Sequence, residues 1–188
     1  MPRHRYIFDP PERFVAGTVG EPGERTFFLQ ARAGRRVTSV VLEKVQVAVL
    51  ADRLNRLLDE LEQRGVTTPS PPESSDVEPL DEPVVEAFRA GTLTLGWDGS
   101  SDRILVEARA RTDEDDEEEE AEQEEALDDD AEDGPAIFRV RLTAPAARAF
   151  VERAVRVIAS GRPPCPLCGQ PLDPQGHICP RRNGHYVN

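Results

Sequence analysis

Two stretches, Phe14-Val15-Ala16-Gly17-Thr18 and Phe88-Arg89-Ala90-Gly91-Thr92, share the pattern Phe-x-Ala-Gly-Thr. Each is followed by a β-rich run that ends in Ala-Arg-Ala, at 31–33 and at 108–110. A further strand-like run and a run with helical spacing follow each copy. Because the pentapeptide and the order of elements match independently, the sequence predicts one structural unit that is used twice.

The first copy predicts strands that are separated by Gly- and Pro-rich turns. The strands are rich in β-branched and aromatic residues, and short connections of this kind favour antiparallel hairpins. Leucines at 50, 54, 57, 58 and 61 then follow helical spacing, which predicts a helix with one buried face. The predicted strands are 5–8, 14–19, 26–33 and 37–42, and the predicted helix is 45–61.

The second copy repeats this order. Asp98-Gly99 is a strong turn signal between strands at 92–97 and 103–110, and a last strand follows at 137–142. Thr143 is a candidate N-cap, and Pro145 falls in the first turn, where its missing N–H costs nothing. The helix is predicted at 146–159, with Phe150, Ala154, Val157 and Ile158 facing inward.

These elements predict an α+β fold. A duplicated strand-strand-strand-helix unit would form a mainly antiparallel sheet covered by two helices, and a small zinc-knuckle module would follow at the C-terminus. The predicted segments are a first repeat at 1–64, a Pro-rich linker or loop at 65–83, a second repeat at 84–161 with an acidic insert at 113–134, and the zinc-binding module at 162–188.

The charge of the chain is concentrated in the insert. The net charge is −13, yet residues 113–133 hold 16 acidic residues and no basic one, so the remaining 23 basic residues exceed the remaining 20 acidic ones. With almost no apolar residues to bury, the insert is expected to be a disordered hairpin loop. It would act as a solubilising loop, as a decoy for a basic partner, or as a flap over a basic face of the same protein.

All three cysteines lie near the C-terminus, in Cys165-Pro166-Leu167-Cys168-Gly169 and at Cys179. The form Cys-Pro-x-Cys-Gly is typical of a zinc knuckle, in which two thiolates bind one ion from a tight turn. A redox cysteine pair usually opens a helix, and the sequence after Cys168 does not resemble one. We therefore expect a structural zinc ion that is bound by four protein ligands.

The fourth ligand is expected to be a histidine. His177 lies two residues before Cys179, and side chains two apart on an extended segment point the same way. His185 lies five residues after Cys179 and is the alternative. Arg181 and Arg182 form a thin basic patch beside the module and are candidate contacts to nucleic acid.

Several of these stretches resemble an uncharacterised actinobacterial family, domain of unknown function 3090. The resemblance is carried by the strand at 27–31, the cysteine-containing ending through Arg181, and an N-terminal run of Phe8-Asp9-Pro10-Pro11-Glu12-Arg13-Phe14-Val15-Ala16-Gly17-Thr18-Val19-Gly20. It covers nearly the whole chain except the acidic insert and the Pro-rich linker. It implies a bacterial cytoplasmic protein whose gene neighbours encode a histidine-phosphatase-like and a phosphoinositide-kinase-like protein. It implies no activity and no catalytic residues.

The sequence favours a non-catalytic interaction or adaptor protein with a structural zinc site. The alternative is a nucleic-acid-associated regulator that uses the zinc module and a basic face and is modulated by the acidic insert. An enzyme is the weakest interpretation, because no Gly-rich phosphate loop and no nucleophile–base pair is evident. No apolar run is long enough to span a membrane and the N-terminus lacks a signal-peptide pattern, so we expect a cytoplasmic location.

Overall fold

A computed structural model describes residues 3–67, 76–112, 133–161 and 165–167. Within these ranges it contains a seven-stranded mixed sheet and two helices, which confirms the predicted α+β class. The elements in chain order are β1 (Arg5–Phe8), β2 (Arg13–Val19), β3 (Thr26–Ala33), β4 (Arg36–Leu42), α1 (Lys44–Gln63), β5 (Glu86–Asp98), β6 (Arg103–Ala110), β7 (Ile137–Leu142) and α2 (Ala144–Ala159).

The strands lie in the order β1-β7-β6-β5-β4-β3-β2. Strands β2, β3 and β4 form one antiparallel meander, and β5, β6 and β7 form a second. The meanders are joined by parallel pairing of β4 with β5, and β1 pairs in parallel with β7. The sheet is therefore mainly antiparallel, as predicted, with two parallel pairings that the hairpin patterns did not predict.

The strands on either side of the acidic insert pair with each other. The antiparallel register of β6 and β7 runs from Ile104 opposite Leu142 to Arg109 opposite Ile137. The insert therefore connects two strands that pair with each other, and lengthening such a connection costs little closure entropy. The insert itself lies outside the described residues.

The two copies of Phe-x-Ala-Gly-Thr both lie in the first strand of a meander, β2 and β5. Their pairing registers differ, however. Phe14 lies opposite Ala31, whereas Ala108 lies opposite Leu93, after a β-bulge in β5. The order of elements thus occurs twice in the fold, while a residue-by-residue repeat stays a prediction.

The sheet curls because its two edge strands, β1 and β2, are connected by residues 9–12 alone. A flat sheet of seven strands would be about 29 Å wide, since neighbouring strands lie about 4.8 Å apart. The connection reaches only about 17 Å when fully extended. The edges therefore approach each other, and the Phe14 ring of β2 lies 6.3 Å from the Phe138 ring of β7.

Both helices pack on the face of the sheet toward which it curls. Phe150 of α2 is buried and stacks on Phe14 at 4.5 Å between ring centroids. The predicted inward residue Ala154 is also buried, while Val157 and Ile158 are partly buried against the core. Arg148 links the helices by donating hydrogen bonds of 2.7 Å to Asn55 and 2.7 Å to Asp59 of α1.

The helix ends follow local signals. Glu43 and Gln46 form a capping box at the start of α1, which extends the helix slightly beyond the predicted bounds. The hydroxyl of Thr143 accepts a hydrogen bond from the backbone N–H of Ala146, which confirms the predicted N-cap of α2. None of the helices in the described ranges is long and apolar enough to cross a membrane.

Replacing Phe150 by alanine is expected to destabilise the protein by about 3–5 kcal/mol, because it removes the stacked ring at the point where the sheet edges meet. Urea denaturation followed by circular dichroism measures the change. The control is Val155→Ala on the same helix, where the side chain is 53% exposed and the expected change is within about 0.5 kcal/mol. Equal effects of the two substitutions would contradict this account of the core.

Candidate functional site

The predicted metal site is described only at its first residue, Cys165. Its thiol is buried, and its sulfur accepts a hydrogen bond of 3.4 Å from the backbone N–H of Leu167. The other predicted ligands, Cys168, His177, Cys179 and the alternative His185, lie outside the described residues, as do Arg181 and Arg182. Among the side chains that the structure describes, no group of three His, Cys, Asp or Glu could hold a metal ion.

The most densely charged part of the described structure lies at the free edge of β2. There the segment 76–83, which we call the strap, crosses the sheet on the face opposite the helices. Asp76 of the strap accepts hydrogen bonds from Arg13 of β2 and Arg153 of α2, each with a closest distance of 2.6 Å. The side chains of Arg13 and Arg153 are only 10% and 8% exposed.

Both guanidinium groups also bind backbone carbonyls. Arg13 donates to the carbonyls of Glu78 at 3.0 Å and Pro79 at 2.8 Å. Arg153 donates to Glu78 at 2.7 Å and to Ala16, on β2, at 2.8 Å. Because their donors are used in this way, the two arginines hold the strap in place and do not form an open anion-binding site.

The shared carboxylate of Asp76 is strongly stabilised in its ionised form. The hydrogen bond from Arg13 is the main cause of the lowered pKa of Asp76, and burial opposes this effect. The pKa of Arg13 is raised, chiefly by the same hydrogen bond, whereas burial lowers the pKa of Arg153. Both arginines nevertheless remain cationic, since arginine titrates far above neutral pH.

The side chain of Gln30, in the middle of β3, holds the backbone of the strap in place. The side-chain oxygen of Gln30 accepts the N–H of Asp81 at 2.7 Å, and its amide nitrogen donates to the carbonyl of Asp81 at 3.0 Å. The same nitrogen donates to the hydroxyl of Ser39 at 3.0 Å, so the amide, which is only 1% exposed, is well satisfied.

Leu80 is the apolar anchor of the strap. It packs with Val15, Phe28 and Val41 in a small cluster on the face opposite the helices. A Cβ atom on Gly17 would lie 2.5 Å from the Cδ2 atom of Leu80. The glycine of the first Phe-x-Ala-Gly-Thr copy is therefore required by the close approach of the strap, a role that its sequence pattern did not predict.

A second buried charge cluster lies in the other meander. Glu107 of β6 is fully buried, and its carboxylate accepts hydrogen bonds from Arg139 of β7 at 2.7 Å and from Arg109 at 2.9 Å. A buried carboxylate needs such partners, because desolvation without them costs several kcal/mol. This cluster thus satisfies a buried charge within the sheet.

A cavity of about 370 Å³ opens where β2, α2 and the strap meet. It lies at the seam between the sheet edges, since its lining includes both the connection before β2 and the end of β7. The lining residues are Pro11, Glu12, Arg13, Phe14, Val15, Asp76, Val77, Glu78, Leu142, Ala146, Ala149, Phe150 and Arg153.

Sequence reasoning missed the strap and its partners. The one sequence feature that could have indicated these contacts is Gln30, because it is a polar residue inside the otherwise apolar run 27–31. Asp76 carries no such signal: it lies 63 residues from Arg13 and 77 residues from Arg153 in the chain. The segment predicted as a linker or surface loop thus contains, in its described part, a set of buried contacts.

Replacing Asp76 by asparagine is expected to destabilise the protein by about 3 kcal/mol at pH 7, because two largely buried guanidinium groups lose their carboxylate. Since the pKa of Asp76 is lowered in the folded state, its stabilisation is present above its ordinary pKa and is lost as the pH falls through the lowered value. The difference between wild type and variant should therefore shrink at acidic pH.

Urea denaturation at several pH values measures this difference. The control is Asp52→Asn, because the Asp52 carboxylate is 57% exposed and pairs with Arg56 on the helix surface. That substitution should change the stability by no more than about 0.5 kcal/mol. A D76N variant as stable as this control at pH 7 would show that the Asp76 carboxylate contributes little to the stability of the fold.

Comparison with known proteins identifies the family of the chain. The family model described as a protein of unknown function (DUF3090) matches residues 6–179. No curated protein and no solved structure matches the chain. The matched region includes both meanders, both helices, the strap and the cysteines through Cys179, which confirms the resemblance drawn from the sequence. The chain belongs to the DUF3090 family.

Proposed function

We propose that this protein is a non-catalytic interaction or adaptor protein whose C-terminal segment binds a structural Zn²⁺ ion. The observation that carries the metal proposal is the turn at Cys165, where a backbone N–H points at the sulfur of a buried cysteine. Backbone donors of this kind favour a thiolate over a thiol, and thiolates are the ligands that zinc prefers.

Cys165, Cys168 and Cys179 would supply three ligands and His177 the fourth, with His185 as the alternative. Four protein ligands complete a tetrahedral site and leave no position for a reactive water, so the ion would have a structural role. A short segment with few apolar residues gains much of its folding free energy from the metal in such cases. The zinc ion would thus hold the C-terminal segment in one conformation, which could then serve as a binding surface.

The interaction role is supported by how the described charges are used. Arg13 and Arg153 hold the strap through Asp76, and Arg139 satisfies the buried Glu107. In the cavity, Asp76 is shared by two arginines and is kept ionised, which is unsuited to exchanging a proton near neutral pH. These features favour a protein that presents surfaces over one that carries out acid–base chemistry.

We also infer that the two meander-and-helix units derive from a duplication. The supporting observations are the repeated order of elements and the placement of both Phe-x-Ala-Gly-Thr copies in the first strand of a meander. The different registers would then reflect the bulge in β5 and the greater length of that strand, which has 13 residues where β2 has 7. The clustered cysteines are typical of a reducing compartment, so we propose a cytoplasmic location.

Association with nucleic acid is the weaker proposal. Many of the described arginines are paired with carboxylates, which leaves less positive charge for a phosphate backbone. The paired arginines are Arg13, Arg32, Arg56, Arg64, Arg89, Arg109, Arg139, Arg141, Arg148 and Arg153.

Purified protein is expected to contain one zinc ion per chain, measured by inductively coupled plasma mass spectrometry under reducing, chelator-free conditions. Cys165→Ser should lose most of the metal, because three ligands bind zinc far more weakly than four. His177→Ala should also lose it, while His185→Ala should retain it. The opposite outcome for the two histidines would assign the fourth ligand to His185, and a wild-type protein without metal would overturn the zinc proposal.

Co-expression with the histidine-phosphatase-like and the phosphoinositide-kinase-like proteins encoded beside family members tests the adaptor role. We expect one of them to co-purify with the wild-type protein in a stoichiometric complex, as measured by size-exclusion chromatography with light scattering. The complex should weaken in the Cys165→Ser variant, since the braced surface would be lost. Failure of both proteins to associate, with zinc present, would contradict this choice of partners.

A further inference from the structure

The cavity at the seam combines an apolar floor with an acidic rim. The apolar lining is formed by Phe14, which is 9% exposed, and by Ala146 and Ala149 of α2, while the core residues Leu142 and Phe150 lie behind them at 1% exposure. The space exists because α2 presents small side chains, Ala146 and Ala149, toward the start of β2. Its volume of about 370 Å³ lies within the range of roughly 300–1,000 Å³ that is usual for ligand pockets.

The positively charged groups in the lining already bind other groups of the protein. Arg13 and Arg153 share the carboxylate of Asp76 and bind carbonyl groups of the strap and of β2. An anion that entered the cavity would have to compete with Asp76 for these groups. It would also lie close to Glu12 and Glu78, whose charges would repel it.

Two carboxylates at the rim, those of Glu12 and Glu78, carry negative charge, and that of Glu78 also acts on the nearby Arg153. Glu12 and Glu78 are exposed residues that line the cavity. In the part of the chain that the structure describes, neither carboxylate lies within ion-pair distance of an arginine or lysine, whereas the neighbouring Asp76 and Asp81 are both paired. The lining sets three carboxylates, Glu12, Asp76 and Glu78, against the two guanidinium groups of Arg13 and Arg153, so its net charge is −1 and favours a cation over an anion.

We propose that this cavity binds a lysine or arginine side chain that a partner protein presents. The aliphatic stem would pack on Phe14, Ala146 and Ala149, and the cationic head would reach Glu12 and Glu78 at the rim. This division suits long basic side chains, which bury their methylene groups and keep the charge near water. The inference rests on the proposed interaction role, because it takes the ligand to be part of a protein.

The test is a titration of the full-length protein with n-butylammonium and with butyrate, which match in shape and differ in charge. The readout is the methyl NMR signals of Leu142, Ala146 and Ala149. We expect n-butylammonium to shift these signals saturably and butyrate to leave them unchanged. A short peptide with a central lysine flanked by leucines should bind at least about tenfold more tightly than the free amine, since its apolar neighbours add contacts.

Two variants probe the site directly. The double substitution Glu12→Gln and Glu78→Gln changes exposed side chains without disturbing the core, and it should weaken n-butylammonium binding about tenfold. Ala149→Leu should abolish binding by filling the cavity, with its folding checked by thermal denaturation. Glu21→Gln, at an exposed glutamate on the turn after β2, is the matched control and should bind like the wild type.

The outcomes distinguish this inference from the proposed function. Binding of butyrate equal to that of n-butylammonium, or unchanged binding by the double variant, would overturn the cationic site. Binding of the free amine without any gain from the peptide would overturn the protein partner and leave a small-amine site. Zinc content and co-purification of a partner are measured separately, so either can fail while the cavity result stands.

Discussion

The connection of residues 9–12 between the two edge strands is the constraint on which the rest of the structure depends. A seven-stranded sheet whose edges are joined by so short a segment has to curl, and its core then closes across the seam. This is why Phe14, near one edge, contacts both Phe138 and Phe150. The same closure places Leu142 of β7 beside Glu12 and Arg13, and so creates the cavity.

The strap covers the face of the first meander that lies opposite the helices. This face carries Val15, Phe28 and Val41, which would otherwise be exposed. The strap covers it with one apolar anchor, Leu80, and with polar groups whose hydrogen bonds are satisfied. Arg153 connects the strap to α2 and to the carbonyl of Ala16 on β2, so that a single side chain links three parts of the fold. Buried charges are thus used for architecture, because each is matched by a partner or a carbonyl group.

Because these charges have structural roles, they support the proposal that the protein acts through its surface. In the cavity, Arg13 and Arg153 already bind Asp76, and two further carboxylates lie at the rim, which supports the proposed cationic ligand. The buried sulfur of Cys165, which accepts a hydrogen bond from the N–H of Leu167, lies at the first residue of the proposed metal site. An interaction protein that is braced by zinc and reads a basic side chain would use both features without requiring a chemical step.

The sequence by itself determined most of the elements, because their signals are local: the aromatic and apolar run of β3, the leucine spacing in α1, and the Thr143 cap of α2. It also predicted the Cys165–Cys168 turn as a metal candidate, from residue types at a fixed spacing. Only the tertiary structure decided the parallel pairing of β4 with β5, the curl of the sheet, and the contacts of Arg13, Asp76 and Arg153. Those contacts join residues more than 60 positions apart, and such separation leaves no periodic pattern in the chain.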